Sequence, residues 1–244
     1  MHEETVTLST PDGPMDAYLA RPDGAGPFPA VVVIQEAFGV NGHIRGVARR
    51  LAGTGYAALA PEIFHREGRG ITIPYTDMPS VMPRLAALTN EGLEQDLRAA
   101  FDHLRGRPEV DAARVGLVGF CVGGFVAFLG ACRVRPAATV SFYGGGIARP
   151  RPNFAIRPVL PEAGSIGAPI LCLFGELDQG IPPADVDAIR GQLQAHGVPH
   201  EVVVYPGANH AFFCDERPAY HAEAAADAWR RTLGWFGKHL GAKP

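Results

Sequence analysis

Cysteine 121 stands in the run Val118-Gly119-Phe120-Cys121-Val122-Gly123-Gly124, with a glycine two residues to either side of it. This Gly-x-nucleophile-x-Gly spacing is that of a nucleophile elbow, with cysteine where serine is usual. A sharp turn from strand to helix forces the central residue into a strained conformation, and its neighbours two before and two after must be small to avoid collision. The same turn sets the thiol at a helix N-terminus, where the dipole favours a thiolate. The competing reading is a buried structural cysteine in a glycine-rich turn, since free cysteines are among the most buried residues.

An elbow nucleophile needs an orienting carboxylate and an imidazole base, arriving later in the chain in that order. Asp178 follows the apolar run 169–174, and His210 follows the run 200–204 in Tyr205-Pro206-Gly207-Ala208-Asn209-His210. Both fall just past the carboxyl end of a strand, the edge at which open α/β sheets build their sites. An Asp that caps a turn and a solvated surface His are the structural alternatives. Glu176 is the rival acid; His196 and His200 are weaker rival bases because neither lies in a loop after a strand. Glu36 follows the run 30–34, in the loop that usually supplies one oxyanion-hole amide, and would stand at the mouth of the same site. A glutamate in such a place is otherwise a cap or a solvated group.

These residues need a sheet to position them. Residues 3–9 and 15–20 alternate polar and apolar around Pro11-Asp12-Gly13-Pro14, which predicts an antiparallel edge pair with one wet face. Residues 30–34 (AVVVI) form a continuous apolar run, the mark of a strand buried on both faces, and further strands are expected at 56–60, 114–118, 138–142, 169–174 and 200–204. Helical patterns cover 43–53, 91–105, 184–195 and 219–240, the second with Leu93, Leu97, Ala100, Phe101 and Leu104 on one face. Buried strands separated by helices predict an α/β class with a mostly parallel central sheet and helices on both faces. Residues 62–90 show no sustained period and read as a long surface excursion and a candidate substrate lid. No linker or repeat divides the chain, so one domain over 1–244 is expected.

Composition excludes several classes. Hydrophobic residues make up 47% and charged residues 19%, enough for one large core. The net charge of −3 offers no basic footprint for nucleic acid and no polybasic face for a membrane. Eighteen uncharged residues between Arg114 and Arg133 are long enough to suggest a membrane span. Five of them are glycine, however, and strand, tight turn and buried helix fit better. The acidic start, Met1-His2-Glu3-Glu4-Thr5, is unlike a secretory signal, which points to a cytoplasmic protein. The four cysteines show no CxxC and no Cys/His pairing, so no metal or dithiol site is expected. Cys132 and Cys172 read as core.

With these motifs the sequence resembles the dienelactone hydrolase family, a cysteine-dependent branch of the α/β-hydrolases. The resemblance is carried by QEAFGVN at 35–41, GFCVGG at 119–124, the acid in GELDQGIP and the base in GANHAFF, and runs from about residue 4 to 240. It implies Cys121 as nucleophile, His210 as base and Asp178 as orienting acid. It also implies that Glu36 interacts with the resting thiol and helps to activate it, with the backbone N–H groups of Val122 and Ala37 as oxyanion donors. Arg84, Phe38 and Phe212 are candidate substrate contacts. The family holds a substrate carboxylate with arginines, one of them four residues past the catalytic histidine. Here that position is Cys214, with Arg217 three further on.

The expected activity is hydrolysis of a small-molecule ester or lactone through a thioester, with no metal or organic cofactor, by a monomer or small homo-oligomer. The alternatives are a general small-acyl carboxylesterase or thioesterase, a non-catalytic binding protein of the same fold, and a thiol redox sensor built on Cys121 and Cys214.

Overall fold

The computed structural model of the chain describes residues 1–241. Its frame is an eight-stranded sheet in the order β1-β2-β4-β3-β5-β6-β7-β8. The first hairpin follows the alternation in sequence: β1 (His2–Thr10) and β2 (Gly13–Arg21) pair antiparallel, from His2 opposite Arg21 to Thr10 opposite Gly13. Only β1 keeps the wet face expected of both strands. β2 is flanked on its other side by β4 (Ala57–Pro61) and is buried from Met15 to Ala20. The buried Asp16 is compensated by two short contacts to Arg69, each 2.6 Å, as a carboxylate inside a sheet requires.

From β4 onward the pairing is parallel, through β3 (Phe28–Ile34), β5 (Val110–Phe120), β6 (Thr139–Phe142), β7 (Ile170–Gly175) and β8 (His200–Tyr205). The apolar runs of β3, β6 and β7 are buried on both faces, as the unbroken hydrophobicity predicts. The helices are α1 (Gly42–Gly53), α2 (Met78–Ala87), α3 (Asn90–Arg105), α4 (Val122–Arg133), α5 (Pro183–Ala195) and α6 (Ala222–Leu240). The eighteen-residue uncharged segment divides between the end of β5 and α4, and α4 is buried from Val122 to Cys132. Among the described residues no helix is long and apolar enough to cross a membrane.

The excursion 62–90 has more structure than its sequence pattern suggests. Met78, Val81, Met82 and Leu85 recur at helical spacing and form one side of α2, a signal masked by Pro79 and Pro83. Pro79 sits in the first turn, where no hydrogen bond is lost, while Pro83 forgoes one inside the helix. Asp77 caps the helix by accepting from the Ser80 N–H at 3.2 Å. Before the helix, the segment is tied down at both ends. His65 Nε2 lies 3.0 Å from Asp96 Oδ1, Arg66 grips the same carboxylate, and the Ile73 N–H donates to the Phe38 carbonyl at 3.1 Å. This sheet order, with helices in the crossovers, is the α/β-hydrolase fold.

Candidate active site

The carboxyl ends of β3, β5, β6, β7 and β8 lie along one edge of the sheet, and each delivers a polar or nucleophilic residue. Cys121 follows β5 directly and holds φ 58°, ψ −118° at the start of α4. That left-handed φ is costly for a residue with a side chain, and the fold enforces it. A Cβ on Gly119 would lie 1.8 Å from the Gly123 carbonyl oxygen, and one on Gly123 only 2.5 Å from that of Ile34. The glycines are therefore required by backbone-to-backbone contact. Gly123 in particular lets α4 press against the end of β3, which brings Cys121 beside the loop of Ala37. The Ala37 and Val122 N–H groups donate to no protein acceptor among the described residues, and both residues line the same cavity as Cys121.

Asp178 and His210 come from the loops after β7 and β8. His210 Nδ1 lies 2.6 Å from Asp178 Oδ2, and the other carboxylate oxygen accepts the Gly180 N–H at 2.9 Å. Asp178 is buried. Burial disfavours a charged imidazole at 210, but its interactions with Cys121 and Asp178 outweigh it and push His210 up to about 10. The rival acid, Glu176, is exposed and accepts the Gly207 N–H at 2.9 Å. The rival base His200 bonds the Val198 carbonyl at the start of β8, and His196 caps the end of α5, so neither faces this edge.

Glu36 is buried after β3. Its Oε1 accepts from the Tyr143 hydroxyl at 3.3 Å and lies 3.7 Å from Arg217 Nη1, while Oε2 has no partner among the described residues. Tyr143 was not singled out by the sequence, although it occupies the first position after β6, where a side chain reaches the same edge. Its ring meets that of His210 at 5.1 Å, so it stands between the glutamate and the imidazole. Burial, reinforced by Glu36 and Cys121, holds its hydroxyl well above the usual tyrosine range, so it remains a donor.

A cavity of about 360 Å³ opens over these groups, lined by Cys121, His210, Ala37, Val122 and Phe38 together with Met78, Met82 and Leu85 of α2. Two arginines reach it, Arg217 and Arg151. Arg217 stacks on Phe38 and Tyr75, at 5.2 and 5.6 Å from the ring centroids. Arg84 and Phe212, expected as substrate contacts, do not line the cavity. The Arg84 guanidinium turns back to the Ser80 carbonyl and to Glu67, because the helix presents its methionine side to the cavity. Phe212 is fully buried against Tyr143 and Tyr205. Cys214 is also buried, with Sγ 3.3 Å from the Tyr75 hydroxyl, and burial pushes its thiol up to about 11. Cys132 and Cys172 are core thiols, each pushed up by burial to about 12. No cluster of metal-ligating side chains occurs among the described residues.

Comparison with known proteins agrees with this architecture. The sequence profile of the dienelactone hydrolase family matches residues 15–240. A Synechocystis sp. protein provisionally named carboxymethylenebutenolidase is 40% identical over 237 residues, which cover 96% of each chain. An Escherichia coli K12 protein of the same provisional name is 40% identical over 94% of this chain and 84% of its own. Among solved structures, a Klebsiella pneumoniae protein provisionally named dienelactone hydrolase superposes with a TM-score of 0.84 at 36% identity, covering 97% of this chain and 98% of that one. The chain belongs to the dienelactone hydrolase family and is a hydrolase of ester or lactone bonds.

Proposed function

We propose that hydrolysis proceeds through a Cys121 thiolate and a thioester intermediate. The observation that supports it most is the 2.6 Å contact of His210 with Asp178 at the same sheet edge as the strained Cys121. With the imidazole held protonated, the thiolate attacks the carbonyl carbon. The freed N–H groups of Ala37 and Val122 receive the developing oxyanion, a contribution of about 3–4 kcal/mol per donor in comparable sites. His210 then gives its proton to the leaving alkoxide as the C–O bond breaks. The thioester carries no negative charge on sulfur, so what chiefly raised the imidazole's proton affinity is gone. His210 is then free to take a proton from water, which attacks the thioester and releases the acid and the thiolate.

Replacing Cys121 with alanine and measuring turnover of activated esters and a dienelactone tests this reading. The expected result is loss of turnover on both, with an acyl adduct on Cys121 trapped by mass spectrometry in the unmodified protein. Full activity in the variant would refute it. The position of Cys214 favours a second reading of specificity, a general small-acyl esterase or thioesterase. Turnover of simple activated esters with none of dienelactone would select it.

A further inference from the structure

We infer, resting on the proposed function, that Tyr75 is a positioning residue for the oxyanion hole: it ties the loop carrying the Ala37 N–H to the loop that follows His210.

The two oxyanion donors have different supports. Val122 begins α4 and belongs to the main hydrophobic core. Ala37 and Phe38 instead pack in a small separate cluster with Ile73 and Val81, both from the excursion 62–90. Main chain makes the contact as well as side chains. Gly39 and Thr72 form an antiparallel bridge, and the Ile73 N–H donates to the Phe38 carbonyl at 3.1 Å. Glycine is required at 39, where φ is 84° and a Cβ would lie 1.9 Å from the Ile71 carbonyl oxygen. The strap 71–75 therefore lies directly on the Ala37 loop, and whatever anchors the strap fixes where that N–H stands.

Tyr75 is the anchor. Its ring meets Phe38 edge-on, with centroids 4.7 Å apart, and Arg217 lies over it at 5.6 Å. Its hydroxyl accepts from Asn41 Nδ2 at 2.9 Å and meets Cys214 Sγ at 3.3 Å. Asn41 in turn caps α1, its side-chain oxygen accepting the Ile44 N–H at 3.2 Å. One hydroxyl thus joins the start of α1, the strap and the loop after His210. Residues 71–75 make no other side-chain hydrogen bond among the described residues. Tyr75 does not line the cavity, so it acts through Phe38 and Ala37 rather than on the substrate. Catalysis is sensitive to such support, because a misplacement of 1 Å in an active site can cost about 10²-fold.

Tyr75→Phe removes the hydroxyl and keeps the ring. Its kcat on an activated aryl ester should fall roughly 10-fold with KM little changed, the loss appropriate to a donor loosened rather than deleted. A trifluoromethyl ketone and its methyl ketone counterpart supply a readout that a purely structural role would not move. The Cys121 thiolate adds to the activated carbonyl carbon of the first and leaves the negative charge on its oxygen, in the hole, while the second binds without that addition. The preference for the trifluoromethyl ketone, read as the ratio of the two inhibition constants, should shrink by the same factor as kcat. Asn41→Ser keeps an oxygen for the Ile44 N–H and removes the amide that reaches Tyr75. It should lower kcat and the ketone preference in the same way, and add little to Tyr75→Phe in the double variant. A lower unfolding midpoint with kcat and the ketone preference unchanged would make Tyr75 merely structural and overturn the inference. Turnover retained by Cys121→Ala, with equal binding of the two ketones by the unmodified protein, would instead sink the cysteine mechanism and the inference with it.

Discussion

Leu177 donates its backbone N–H to the Ala208 carbonyl at 2.8 Å, so the loops carrying Asp178 and His210 are a single hydrogen-bonded unit. Glu176 reinforces it, its N–H donating to Tyr205 and its side chain accepting from Gly207. The register of the Asp178 carboxylate and the His210 imidazole is thereby set by main chain before either side chain is considered. Gly175 permits the approach, since a Cβ there would lie 2.6 Å from the Ala208 oxygen. Gly175→Ala must push two backbones apart, and overpacking of this kind costs about 1–3 kcal/mol. A lowered denaturation midpoint together with a fall in kcat is expected. Unchanged values of both would show that the two loops move independently.

Asp178→Asn keeps the shape and removes the charge. An amide in that place stabilises neither the imidazolium nor the Nδ1–H form, and an equivalent change in a serine triad lowers kcat by about 10⁴. A fall of roughly 10³ to 10⁴ is therefore expected here, with KM little altered. Glu176→Gln, made in parallel, should cost little, because that carboxylate is exposed and bonded to a backbone N–H. Steady-state kinetics on both variants decide between the two acids.

The pH dependence follows from the sign of the His210 shift. Its value rises from the ordinary 6.5 to about 10 in the folded chain. The folded state then binds more protons than the unfolded state between these limits. The stability this group contributes is complete below 6.5 and is lost as pH rises toward about 10. Cys121→Ala removes one of the two charges that hold the proton, so the imidazole should titrate lower by NMR and the alkaline loss of stability should shift to lower pH. An imidazole that titrates identically in the variant would mean that no thiolate faces it.

The residues best foreshadowed by sequence are those whose position follows from strand ends. Cys121, Asp178, His210 and Glu36 each follow an apolar run, and parallel strands bring their ends to one edge. Their spacing in sequence is thus enough to gather them. The cavity wall was harder to read, because it depends on which way a side chain turns within an irregular segment. Arg84 lies on α2 yet faces Glu67, whereas Met78 and Met82 on the same helix face the cavity. Arg151 is flanked by prolines and two other arginines, and only tertiary pairing shows which of the three is left without a carboxylate. Tyr143 has a signal in the sequence too, its place directly after β6, but a tyrosine is none of the nucleophile, acid and base that the elbow pattern calls for.

Tyr143 supports Glu36 with a single hydrogen bond of 3.3 Å inside the core, and the other donor near the carboxylate is Arg217, whose Nη1 lies 3.7 Å from the same oxygen. Replacing it with phenylalanine preserves the ring that packs on Phe212 and His210 and removes only the hydroxyl. A hydrogen bond to a carboxylate contributes about 1.5–3 kcal/mol, and this long one belongs at the lower end. Tyr143→Phe is therefore expected to cost about 1–2 kcal/mol in urea unfolding. Glu36→Gln alone and the double variant complete a cycle, and a coupling of about 1 kcal/mol is expected because each residue's loss removes the same bond. Strictly additive effects would mean that Glu36 is held by Arg217 alone. In that case Arg217→Ala, rather than Tyr143→Phe, would release the glutamate toward Cys121.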